Sequence, residues 1–110
     1  MKRAIGNIRL PTMPGDLFVP MPAGADLLSV GFSGAELLLA FMADVKAPMD
    51  RVRLLVLPND TPVDLPDGMD LILIGHAEKP ASSLVLANGK SPAPEVFHVF
   101  QIIKGATDEA

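Results

Sequence analysis

The chain contains no cysteine, no tryptophan and no tyrosine, and only five phenylalanines among its 110 residues. Without cysteine it can form neither disulfides nor thiolate zinc sites, a composition that suits a reducing cytosol. Without tryptophan or tyrosine it lacks the usual base-stacking platforms and the commonest anchors of protein interfaces. Positive charge is scarce too. Nine lysines and arginines against thirteen acidic residues give a net charge of −4, and the basic residues cluster no more tightly than Lys2-Arg3 and Arg51-Val52-Arg53. Duplex-binding proteins usually present a basic face, so no nucleic-acid partner is expected. Long apolar runs are also missing. The longest, Leu37 to Ala43, falls far short of the roughly 20 residues of a membrane-spanning helix. The basic start at Met1-Lys2-Arg3 leads into no signal-peptide core. No membrane partner is expected.

What remains is an apolar, sparsely charged chain, with 49% hydrophobic and 20% charged residues. That balance argues against disorder and for one folded domain over residues 1–110, with the small, polar stretch 105–110 as a frayed tail. Prolines stand at 11, 14, 20, 22, 48, 58, 62, 66, 80, 92 and 94. A proline inside a helix removes a hydrogen bond and clashes with the preceding turn. Only 23–47 and 95–110 are left with room for a helix of more than about twelve residues.

Between the prolines, short segments alternate with period two. Ala4, Gly6, Ile8 and Leu10 oppose Asn7 and Arg9. Leu28, Val30 and Phe32 oppose Ser29 and Gly31. Val52, Leu54 and Val56 share a face, Ile72 and Ile74 oppose Leu71 and Leu73, and Val85 opposes Leu84 and Leu86. Val96, His98, Phe100 and Ile102 oppose Phe97 and Val99. Such lengths and such alternation are strand behaviour. Pro14-Gly15, Ser33-Gly34, Pro58-Asn59-Asp60, Asp67-Gly68 and Asn88-Gly89 supply turns, the last being the strongest short hairpin signal. The run Glu36-Leu-Leu-Leu-Ala-Phe-Met-Ala43 is ambiguous, because Ser33 with Glu36 also reads as a helix capping box. It is apolar on both sides, as a central strand would be. The expectation is an all-β fold, an antiparallel β-sandwich or small barrel of seven or eight short strands, with one short helix over 34–44 as the alternative.

Few residues point to chemistry. Arg51 and Arg53, two apart on a strand, project to one side and could together grip a phosphate or carboxylate. His76 follows an apolar strand at its loop end, where binding residues concentrate. His98 shares a strand face with Val96 and Phe100 and is read first as a hydrogen-bonded histidine at the core edge. Asp60, Asp64, Asp67 and Asp70 fall close together, but Pro62 and Pro66 interrupt them and the spacing does not fit a calcium loop. Two histidines are too few to announce a zinc site. No metal and no cofactor are expected. No serine stands in a Gly-x-Ser-x-Gly elbow and no glycine-rich phosphate loop is present, so nothing argues for an enzyme.

The stretch Met21-Pro-Ala-Gly-Ala-Asp-Leu-Leu-Ser-Val30 resembles a Met-Pro-x-Gly-Ala-x-Ile-Leu-x-Val motif of a family of small bacteriophage and prophage β proteins. Segments similar to Leu37–Asp44, Ile74-Gly75 and Val96-Phe-His-Val-Phe100 follow in the same order, so the resemblance spans roughly residues 17 to 103. Where that family carries a Gly-Thr-Gly-His-Pro loop, this chain has Leu57-Pro-Asn-Asp-Thr-Pro62. A Gln-x-Gln and a tryptophan typical of the family's first hairpin are absent.

The resemblance implies a compact β fold, a phage origin and residence in the host bacterial cytoplasm, and it implies no particular activity. With it, Asn59, Asp60 and Thr61 join Arg51, Arg53, His76 and His98 as candidate ligand- or partner-binding residues. The expected function is that of a small phage-encoded binding protein, acting in counter-defence by inhibiting a host effector protein or sequestering a small-molecule signal. The alternative is a structural or assembly component of the virion. A small hydrolase or isomerase using His76 or His98 with a nearby aspartate ranks third. An apolar domain with several strand edges is also expected to form homo-oligomers.

Overall fold

The computed structural model describes residues 2–62, 64–65, 68–79 and 95–104. The apolar segment 84–86, the Asn88-Gly89 turn, Asp67 and the tail 105–110 lie outside the described residues. Seven antiparallel strands account for most of the rest: β1 (Arg3–Leu10), β2 (Gly15–Pro22), β3 (Asp26–Ser33), β4 (Glu36–Asp44), β5 (Met49–Pro58), β6 (Asp70–Glu78) and β7 (Val96–Lys104). They form a three-stranded sheet in the order β1-β4-β3 and a four-stranded sheet in the order β2-β5-β7-β6. The fold is all-β, in two sheets, consistent with a small β-sandwich. Among the described residues no helix is present.

Residues 36–44 are therefore strand and 34–35 the turn before it, and the helix alternative is corrected. β4 is the central strand of its sheet, paired with β1 along one side and β3 along the other. Its alternate residues Leu37, Leu39 and Ala43 are buried. Ser33 and Glu36, which fit a capping box, are instead cross-strand partners that close the β3–β4 hairpin. Gly34 carries the turn at φ 61, while Ala35 keeps a negative φ. A positive φ at the first central position alone is the pattern of a type II′ turn, whose twist suits a two-residue hairpin.

The alternation read along β1, β5 and β7 identifies the core-facing residues, with Leu55 and Ile102 buried on the opposite face in addition. Leu10, Leu54, Val56, Phe97 and Val99 enter the core, joined by Val19 and Met21 of β2, Leu37 and Leu39 of β4, and Ala77 of β6. Each such aliphatic or aromatic side chain removed from water contributes about 1.5–3 kcal/mol. The sheets meet at Phe32 of β3 and Phe97 of β7, whose rings sit edge to face with centroids 5.7 Å apart and planes at 60°. β3 departs from the expected phase. Leu28 is an extra residue between the pairs Leu27↔Phe41 and Ser29↔Ala40. This bulge turns Leu27 toward the core and leaves Leu28 43% exposed.

β2 contains Pro20 and Pro22, a sequence that discourages a strand assignment. It is an edge strand, paired only with β5, and an edge tolerates residues that cannot donate to a ladder. At the other side of the sandwich β3 and β6 come close. A Cβ built on Gly75 would lie 3.2 Å from Val30 Cγ2 and 3.6 Å from the Val30 backbone nitrogen. Glycine at this position is what lets the two strands approach.

Candidate functional site

The candidate residues fall on the outer face of the four-stranded sheet, at two ends of β5. At one end lies a histidine pair. His76 on β6 and His98 on β7 are direct cross-strand partners, which places their Cβ atoms about 4.5–5.5 Å apart. The ring centroids are 5.7 Å apart, with planes tilted by 41°. Leu57 of β5 is the next residue in this row.

Asn59, just past the end of β5, completes the cluster. Its backbone N–H donates to the Val96 carbonyl at 2.9 Å, continuing the ladder between β5 and β7. That contact holds its side chain against His98. His98 Nε2 and Asn59 Oδ1 are 2.7 Å apart. A carboxamide oxygen only accepts, so His98 Nε2–H is the donor, and the Nδ1 lone pair stays available.

Asp60 and Thr61 belong to the adjoining turn. Asp60 holds φ 59, a left-handed conformation that aspartate tolerates better than most residues. The Thr61 hydroxyl donates to the Asn59 carbonyl at 3.4 Å. Glu78 follows His76 by two residues on β6 and shares its face. The spacing His76-Ala77-Glu78 is the sequence signal for that placement. Among the described residues no three histidine, aspartate or glutamate side chains come together as a metal site.

Arg51 and Arg53 lie at the other end. Four residues separate Arg53 from Leu57, or about 13 Å at strand rise. The two arginines therefore do not join the histidines. They flank the ring of Phe18, with guanidinium carbons 5.1 Å (Arg51) and 5.8 Å (Arg53) from its centroid, within cation–π range. Phe18 is the cross-strand partner of Arg53 and Pro20 that of Arg51. Arg53 is committed to Asp16. Its Nε and Nη2 both donate to Asp16 Oδ2, at 2.9 and 2.7 Å.

Arg51 is exposed, and its guanidinium meets no carboxylate among the described residues. Of the two arginines predicted to grip an anion together, Arg51 is the one open to it. Phe18 and Asp16 went unnoticed in the sequence because the two prolines of 15–22 concealed a strand.

Between the ends the outer face is apolar. Leu55, Phe100 and Leu73 form one row across β5, β7 and β6. Leu55 is buried although it points away from the sandwich core, and a depression of about 220 Å³ beside it is lined by Gly15, Asp16, Arg53, Leu65 and Met69. A larger, open depression of about 610 Å³ lies elsewhere, around Arg3, Gly24, Asp26, Asp44, Lys46 and Pro48. There Arg3 Nη2 donates to Asp26 Oδ2 at 2.6 Å. The larger depression opens broadly to solvent, and the smaller is more enclosed.

No protein-family model, curated protein or solved structure matches the chain. The resemblance to phage proteins therefore has no relative behind it. The assignments that depended on it (viral origin, counter-defence or virion role, host cytoplasm) are withdrawn.

Proposed function

We propose that this protein works by binding rather than by catalysis, and that it presents the outer face of its four-stranded sheet to another protein. The observation that carries this reading is Phe18, an aromatic side chain left 57% exposed with the guanidinium of Arg51, which meets no carboxylate among the described residues, 5.1 Å from its ring centroid. Aromatic residues and arginine are the types enriched at protein interfaces, where they dominate the binding energy. Leu73, 55% exposed on the same face, and Phe100 beside it extend the apolar surface. A small-molecule site is typically a concave cavity that encloses most of its ligand. The depression beside Leu55 on this face holds only about 220 Å³, less than the roughly 300–1,000 Å³ of such sites, so the face suits a broad contact better.

Self-association is a second reading, favoured by β1. This eight-residue edge strand has neither proline nor bulge and, among the described residues, pairs only with β4. The other three edges are each blunted: β2 by Pro20 and Pro22, β3 by the Leu28 bulge, and β6 by an irregularity at Ile74 beside β3.

Photo-crosslinking distinguishes these readings. A photoreactive residue at position 18 should capture a partner, and Arg51→Ala should abolish the capture. The same residue at position 7, on the outer face of the other sheet, should capture none. Capture that is equal at both positions, or insensitive to Arg51→Ala, refutes the outer-face reading. A light-scattering mass of one 11.6 kDa chain refutes self-association.

A further inference from the structure

We propose that His76 and His98 form a two-imidazole chelate for a late first-row divalent cation, with Cu(II) preferred over Ni(II) and Zn(II). These are the only two histidines of the chain. Twenty-two positions apart in sequence, they are brought face to face by the β6–β7 register. A metal held about 2.0–2.1 Å from an imidazole nitrogen sits about 3 Å from the ring centre. Two rings ligating one ion thus have centres about 4 to 6 Å apart, depending on the angle at the metal, and the observed separation of 5.7 Å lies within that span.

Asn59 prepares the site. By accepting from Nε2–H it fixes the tautomer of His98 and leaves Nδ1 as the ligating atom, the usual role of a group behind a metal-bound histidine. Imidazole pairs favour the later metals of the first row, with Cu(II) at the head of the affinity order. His76 is exposed and His98 half-buried, so an ion is reachable from solvent and its remaining positions are open to water. Glu78, on the same strand face as His76, is the nearest acidic group by register. This site is separate from the Phe18 end of the sheet and does not depend on the function proposed for that end.

The test is a titration of the wild-type protein with Cu(II), followed by the imidazole proton resonances in NMR. Both histidines should broaden together below one equivalent of metal, with saturation at one ion per chain. Joining two weak ligands into one chelate strengthens binding by a factor of about 10²–10⁴. His76→Gln or His98→Gln should therefore weaken Cu(II) binding about 100-fold, whereas Arg51→Ala should leave it unchanged. Broadening that spares both histidines, or saturation at other than one ion per chain, overturns the proposal. So does a His76→Gln variant that binds as tightly as wild type. The nitrogen hyperfine pattern of Cu(II) bound to the wild type, which counts two imidazole ligands or one, decides the matter even where a variant fails to fold, and a single nitrogen ligand overturns the proposal.

Discussion

The packing of one sheet on the other can be tested at a single pair of rings. Phe97 is 1% exposed and comes from the four-stranded sheet, while the half-buried Phe32 comes from the three-stranded sheet. Truncating a buried phenylalanine to alanine costs about 3–5 kcal/mol, so Phe97→Ala should lie in that range. Phe32→Ala should cost roughly half as much, since burial scales the transfer term. The edge-to-face contact at 5.7 Å adds about 0.5–1.5 kcal/mol beyond area. The double variant should then be less destabilised than the sum of the singles by about that amount.

Urea unfolding of all four proteins measures the coupling, provided the m-values agree. Where Phe97→Ala leaves too little folded protein, leucine at both positions gives the same cycle at lower cost. Additivity within about 0.3 kcal/mol would mean that the rings do not meet. It would refute the face-to-face arrangement of the two sheets.

Two further outcomes follow from individual positions. Gly75→Ala places a methyl 3.2 Å from Val30 Cγ2. Overpacking costs about 1–3 kcal/mol against a gain of about 0.4–1 kcal/mol from the stiffer unfolded chain, so the urea midpoint should fall by the equivalent of about 1 kcal/mol. A rise would show that Val30 yields freely. Asp16→Asn removes the partner of Arg53 in a pair whose acid is half exposed. The loss should stay below about 1 kcal/mol and shrink in 1 M salt. A larger loss that salt leaves untouched would assign Asp16 a packing role instead.

Local pattern carried most of the strands. Alternation in 4–10, 52–56 and 96–102 gives the residues of the core face, although Leu55 and Ile102 are buried on the outer face as well, and the double-sided apolar run at 37–43 became the centre of a sheet. Two failures have physical causes. The Leu28 bulge is set by pairing with β4, so the sequence of β3 alone gives the wrong phase. The strand at 15–22 hides behind prolines because edge position, which excuses them, is a property of the assembled sheet. The candidate site shows the same limit. His76 and His98 were each singled out, but their facing positions arise from a register between strands distant in sequence. Phe18 fell in the unread strand. Arg51 and Arg53 were correctly placed on one side, and only the third dimension shows that Asp16 neutralises one of them.

The prolines of β2 bear on more than strand assignment. β1 and β2 border different sheets, and a two-sheet molecule that can recruit a neighbour along only one of its four borders has no way to pass growth on to the next copy. If β1 pairs with its counterpart in a second chain, a two-fold arrangement uses up both open borders at once. Pro20 and Pro22 on β2, which contribute no amide proton, together with the Leu28 bulge on β3 and the irregularity at Ile74 on β6, close off the route by which a hydrophobic chain of this kind would otherwise stack into fibres.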